Sequence, residues 1–147
     1  MSTNRRIKVW ADTRGISDQQ PSECDWDKTH DYLNILHDKL KINGVSGYVL
    51  NKVEELAEYA EAKLNNDENG IVDAICDSRI FDATELVKMN YCVDDCDDEV
   101  LKVIESRTGE WSDSLGKFLK DLSAEAVAKW YEPDYVKNCK YKCVVVV

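Results

Sequence analysis

From Trp26 onward, the apolar positions Trp26, Leu33, Leu36 and Leu40 return at the spacing of one helical face, which predicts a helix toward Ile42. Asp25 stands where an N-cap belongs and Gly44 where a helix ends. A stronger pattern follows Ser46, in SGYVLNKVEELAEYAEAKLNN. There Leu50, Val53, Ala57, Ala60 and Leu64 make one apolar stripe with Leu56 beside it, and Glu54, Glu55, Glu58 and Glu61 take the rest of the surface. The text NNDENG reads as a reversing turn with Asn69-Gly70 as its pivot. From Ile71 to Asn90 the pattern changes in kind. Val72, Cys76, Ile80, Ala83 and Val87 form one apolar line, while Ile71, Ala74, Ile75, Phe81 and Leu86 cover much of the remainder. A helix apolar on most faces is expected at the centre of a bundle.

The flanks are less regular. The first 25 or so residues are polar and read as irregular, punctuated by Gly15, Pro21 and Ser22. CVDDCDDE reads as an acidic loop, with Asp97 or Asp98 capping a helix through Val100, Leu101, Ile104 and Arg107. TGEWSDSLGKF reads as loop, and SAEAVAKWY as a short helix that starts at the cap Ser123 and is stopped by Pro133. The tail CKYKCVVVV is either an added edge strand or a disordered end. With only 6 Gly and 2 Pro to break the chain, long helices are favoured over a many-stranded sheet. The expected fold is all-α, a bundle of four to five helices completed by oligomerisation. Its expected parts are residues 1–45 as an extension with the first helix, 46–141 as the core and 142–147 as a tail.

Composition narrows the function. The 147 residues carry 19 Lys+Arg against 29 Asp+Glu, a net charge of −10. An acidic surface opposes nonspecific binding to a nucleic-acid backbone, which needs Lys and Arg to displace counterions. No run of about 18 apolar residues exists to span a membrane, and MSTNRRIKVWADTRG lacks the apolar core of a signal peptide. Six cysteines in such a chain read as reduced thiols of a cytoplasmic protein. Cys92 with Cys96 and Cys139 with Cys143 stand four apart, not in the CxxC spacing of structural zinc, and their acidic neighbours disfavour thiolates. His30 and His37 lack a third ligand at helical spacing and read as surface or half-buried side chains.

The carboxylates are the candidate chemistry. Residues three or four apart share a helix face, so Glu55 projects with Glu58, Glu54 with Glu58, and Asp73 with Asp77. Asp73 and Asp77 lie in the apolar helix, where an inward carboxylate needs a cation or donors to offset desolvation. If the two helices pack antiparallel, these groups converge on one groove. Hard oxygen ligands of this kind suit Mg²⁺, or Mn²⁺ in its place, together with substrate phosphates. Such a site can direct metal-assisted attack on a phosphoanhydride. The plainer account is that Glu-rich helix faces are solvated, and it fits Glu54 and Glu61 well.

NKVEELAEYAEAKL, the turn, and IVDAICD together resemble the signature of the all-α NTP pyrophosphohydrolases, the MazG-like group, whose motif is EExxE followed by ExxD. SRTGEWSDSLGKFLKDLSAEAVAKWYEPDY is similar to the C-terminal part of MazG-like proteins encoded by bacteriophages. The resemblance spans roughly residues 46–141, with a further match at IKVWADTRG. It implies that Glu54, Glu55 and Glu58 take the EExxE positions and Asp73 closes ExxD. It also implies Mg²⁺ held by these carboxylates, a homodimer or homotetramer, and cleavage of a nucleoside triphosphate to the monophosphate and pyrophosphate; with Asp77 one turn beyond Asp73, the expected metal ligands are Glu55, Glu58, Asp73 and Asp77. If the chain is phage-encoded, the location is the host cytoplasm.

One position departs from that motif: Gly70 stands where ExxD has its glutamate. Glu68 or Asp77 can supply the missing oxygen, or activity is lost and the chain binds a nucleotide or signal molecule without hydrolysing it. A third reading, motivated by charge alone, is an acidic protein-binding inhibitor. Arg79 either pairs with Asp82 or contacts a phosphate. Lys117, Lys120, Lys129 and Arg107 are the basic candidates for neutralising a polyphosphate, each with the alternative of an ordinary surface residue. Trp111 is the candidate base or partner contact, whereas Trp130 reads as a packing anchor. No phosphate-cradling GxxxxGK[ST] loop and no nucleophile elbow appears.

Overall fold

The computed structural model describes residues 1–19 and 24–141. The described chain is mostly helical, with 64% of residues in helix and one small two-stranded sheet. The elements in order are α1 (Thr3–Thr13), α2 (Trp26–Ile42), α3 (Tyr48–Leu64), α4 (Glu68–Lys88), α5 (Val93–Glu105), β1 (Gly109–Ser112), β2 (Lys117–Lys120), α6 (Ala124–Val127) and α7 (Tyr135–Cys139). They pack as two compact units: α2, α3 and α4 form one, and α1 joins everything from Asn90 onward in the other. The division therefore falls on either side of α2–α4 and not after residue 45, because α2 packs along α3.

In the three-helix unit, local chemistry sets the ends. Asp25 accepts a hydrogen bond from the Lys28 amide at 3.0 Å, starting α2 where the sequence places it. Asp67 caps α4 through the Gly70 amide at 3.0 Å, so α4 begins at Glu68 and takes in Asn69 and Gly70. The expected pivot is thus helical, and the reversal lies upstream at Asn66, whose φ of 52° is the left-handed conformation that Asn tolerates. The middle helix is α3, which packs against both α2 and α4 and buries Val53, Ala57, Ala60 and Ala62. Its small residues let both neighbours approach closely; Ala60 is 0% exposed.

Helix α4 is not the central one. Within its unit it packs on α3 alone, buries Ala74, and leaves Val72, Ile80 and Val87 of the apolar line exposed, with Ile75 beside them. Asp73 and Asp77, expected to point inward, are exposed for the same reason. Within the three-helix unit, no second helix covers the outer side of α4.

In the other unit, the first residues form a helix and not an irregular lead. Ser2 caps α1 by accepting from the Arg5 amide at 3.3 Å. Arg6 reaches α5, bonding Asp98 and, at 2.8 Å, Glu105. CVDDCDDE is the beginning of α5, which starts at Val93 after Cys92 and not at Asp97 or Asp98. Asp94 and Asp95 in its first turn complement the helix dipole. The segment expected as loop is the antiparallel hairpin β1–β2, with Trp111 paired to Phe118 and a turn through Gly116 at φ 61°. Ser123 caps α6, which ends at Val127, well before Pro133.

Glu99 of α5, 1% exposed, fastens the following segment. It accepts from Tyr131 Oη at 2.5 Å, the Asp134 amide at 3.3 Å and Asn138 Nδ2 at 3.2 Å. These donors hold its carboxyl below the usual range, with Tyr131 the largest cause. Cys96 and Cys139 are buried beside it, and burial pushes the Cys139 thiol up to about 11 and Cys96 upward too. Burial thus disfavours the thiolate at both. Of the tail, Lys140 bridges to Tyr91; residues 142–147, with Cys143 and the valines of the expected strand or disordered end, lie outside the described residues.

Candidate functional site

The carboxylates of α3 divide between two sides of the helix because α2 and α4 both pack on it. Glu54, Glu58 and Glu61 line a groove toward α2, opposite His30, Asn34 and His37. Glu55 lines a cavity toward α4, with Leu56, Tyr59, Ile75, Ser78 and Arg79. The two histidines are half-buried, as expected of them, and His30 Nε2 stands 4.0 Å from Glu61 Oε2. Their place opposite three glutamates is a feature of the groove that sequence reasoning missed. The available signal was their seven-residue separation, which puts both on one face of α2.

Glu55 is the unusual member. It is 7% exposed, and its Oε2 has no hydrogen-bond partner. Burial raises its carboxyl to about 7, and the neighbouring charges of Glu58, Asp77 and Glu54 push in the same direction. A buried oxygen without a donor, in a field of like charges, is a group that a cation or a proton must satisfy. Asp77 is the α4 carboxylate that acts on it across the helix pair. Among the described residues, no three His, Cys, Asp or Glu side chains are arranged to hold a metal ion. The donor chemistry fits a hard divalent cation at Glu55, while the ligand set is not drawn together.

Gly70 sits in the first turn of α4, its amide held by the cap. A Cβ there would stand 2.5 Å from Asp67 Oδ2 and 3.1 Å from Ala62 Cβ, so a glutamate at this position must displace the capping side chain. The alternative donor, Glu68, is exposed in the same turn.

At the other end of the α3–α4 pair, Lys52 Nζ lies 3.0 Å from Asp82 Oδ1 and also donates to the Ser78 hydroxyl. Tyr48 Oη donates to Asp82 at 2.6 Å. Asp82 is therefore engaged from α3, and it is not paired with Arg79.

The basic and aromatic candidates belong to the other unit. Lys117 and Lys120 lie exposed on β2, and Trp111 is half-buried on β1. Lys129 stands 3.9 Å from Glu125 of its own helical turn. The Arg107 guanidinium covers the Trp130 ring at 4.9 Å, consistent with Trp130 as an anchor. Within the three-helix unit none of these five is present, and Arg79 shares the lining of the Glu55 cavity. Comparison with protein-family models, with curated proteins and with solved structures finds no match for this chain.

Proposed function

We propose that the three-helix unit is the catalytic part of a MazG-like, Mg²⁺-dependent nucleotide pyrophosphohydrolase that releases a nucleoside monophosphate and pyrophosphate from a (deoxy)nucleoside triphosphate. The observation that carries this reading is Glu55: buried, unpartnered at Oε2, and raised to about 7 among like charges. A bound cation would compensate this buried carboxylate. Glu55 and Asp77 would hold the cation together with Glu58, which borders the α2-side groove yet lies close enough to Glu55 to raise its carboxyl, with Glu54 and Asp73 as further carboxylates of the same helix pair. When bound, Mg²⁺ supplies charge neutralisation at the phosphates and a more acidic water.

The chain's own groups do the rest. Glu55 is ionised when a cation replaces its proton, and its buried setting makes that exchange strongly pH-dependent. Glu54 and Glu58, on the more open side of α3, can accept a proton from an attacking water. Mixing the full chain with a panel of nucleoside triphosphates and Mg²⁺, with products identified by mass spectrometry, tests the proposal. Monophosphate and pyrophosphate are expected, abolished by Glu58→Gln. Orthophosphate, or no turnover of any nucleotide, refutes it.

A second reading, a homologue that binds without hydrolysing, is favoured by Gly70 and by the lack of a preassembled ligand set among the described residues. It predicts calorimetric nucleotide binding without turnover, and activity gained in Gly70→Glu. Under either reading we propose a homodimer or homotetramer, since a second copy would cover the exposed Val72, Ile80 and Val87 of α4. Sedimentation should show a species heavier than the 16.8 kDa chain. No described helix is long and apolar enough to cross a membrane.

A further inference from the structure

The cavity between α3 and α4 has a volume of about 270 Å³ and carries one anion and one cation among its lining residues, Glu55 and Arg79. Leu56, Tyr59 and Ile75 make the apolar wall between them. Glu55 is buried in the cavity wall, whereas Arg79 is exposed on the open side, so an ion pair between them would satisfy the glutamate, for which burial alone is costly. The two do not pair. Glu55 Oε2 has no partner, and Arg79 forms no ion pair among the described residues. The acidic residue placed to claim Arg79 on its own helix, Asp82, is taken by Lys52 and Tyr48. The Ser78 hydroxyl, also on the lining, is itself bonded by Lys52. A ligand that brings a positive group to Glu55 satisfies its bare oxygen, and negative charge on the same ligand meets the unpaired Arg79 on the open side of the cavity; a metal-chelated polyphosphate has that distribution of charge.

We propose that Arg79 is the substrate-binding residue that grips the polyphosphate chain in this cavity, its planar guanidinium meeting two phosphate oxygens side by side. The proposal rests on the hydrolase reading for the identity of the substrate, but binding of the anion can be tested without it. The full chain, Arg79→Ala and Arg79→Lys are titrated calorimetrically with inorganic pyrophosphate in the presence of Mg²⁺. Loss of a charge-assisted pair should weaken pyrophosphate binding in Arg79→Ala by about 10- to 150-fold. Arg79→Lys should recover part of the loss, with the melting temperature unchanged in both. Where a nucleotide is turned over, Arg79→Ala should raise KM by a similar factor while leaving Mg²⁺ binding without pyrophosphate intact.

Pyrophosphate binding equal to that of the parent in Arg79→Ala, or no pyrophosphate binding by the parent, overturns the assignment. If the parent binds pyrophosphate through Arg79 yet turns over no nucleotide, the hydrolase reading fails and this one stands. If turnover is seen and Arg79→Ala leaves both KM and pyrophosphate binding untouched, the reverse holds.

Discussion

Replacing Glu55 by Gln keeps the shape of the side chain and removes its ionisation. In the folded chain this carboxyl titrates at about 7 against an ordinary 4.5, so ionising it in place is harder by about 3 kcal/mol at 1.36 kcal/mol per pH unit. Below pH 4.5 the group is protonated in both folded and unfolded chains and contributes no pH dependence. As pH rises above 4.5 the unfolded chain releases its proton first, and the folded state loses stability until Glu55 itself ionises at about 7. The parent should therefore melt at progressively lower temperature between pH 5 and 8 relative to Glu55→Gln. At 2–4 °C per kcal/mol for a chain of this size, the gap should open to about 6–12 °C at most. Mg²⁺ should close it by stabilising the parent and not the variant, because a cation that binds only the folded carboxylate adds RT ln(1 + [Mg²⁺]/Kd). Circular-dichroism melts at four pH values, with and without 10 mM-scale Mg²⁺, read all of this. Parallel curves for the two proteins across the pH range would refute the argument that Glu55 is a strained, unsatisfied acid.

Two further substitutions probe the frame around the site. Asp67→Ala removes the cap that starts α4 and should cost about 1 kcal/mol in a thermal or urea melt, without altering the α3 carboxylates. Gly109→Ala should open the hairpin at its first pair, because the added Cβ would lie 1.9 Å from the Leu119 carbonyl oxygen. A cost of about 1–3 kcal/mol is expected, with loss of slow amide exchange at the β1–β2 pairs; an unchanged melt would contradict the close approach.

The elements legible in the sequence are those whose signals are local. Asp25 ahead of a periodic stripe determines α2, and the alternation of alanine with glutamate in VEELAEYAEA determines α3, because caps and periodicity act within a turn or two. Helix α1 escaped notice since its fastening is distant: Arg6 finds Asp98 and Glu105 only after the chain has folded. The hairpin escaped because two four-residue strands carry too little pattern to stand out from a loop. The acidic stretch before Glu99 reads as a loop, yet Cys92 starts a helix there whose dipole the aspartates suit.

The sequence by itself determined that the chain is helical and that Glu54, Glu55, Glu58, Asp73 and Asp77 are its candidate chemistry. Spacing along one helix, however, says only which residues share a face, not what packs against that face. The tertiary structure decided that α3 is the middle helix, so that Glu55 turns toward α4 and is buried while Glu58 faces the groove beside His30 and His37. It also decided that Asp82 is claimed from α3, which leaves Arg79 beside Glu55. Burial and ion pairing depend on which helix arrives on each side, and that is settled between segments far apart in the chain.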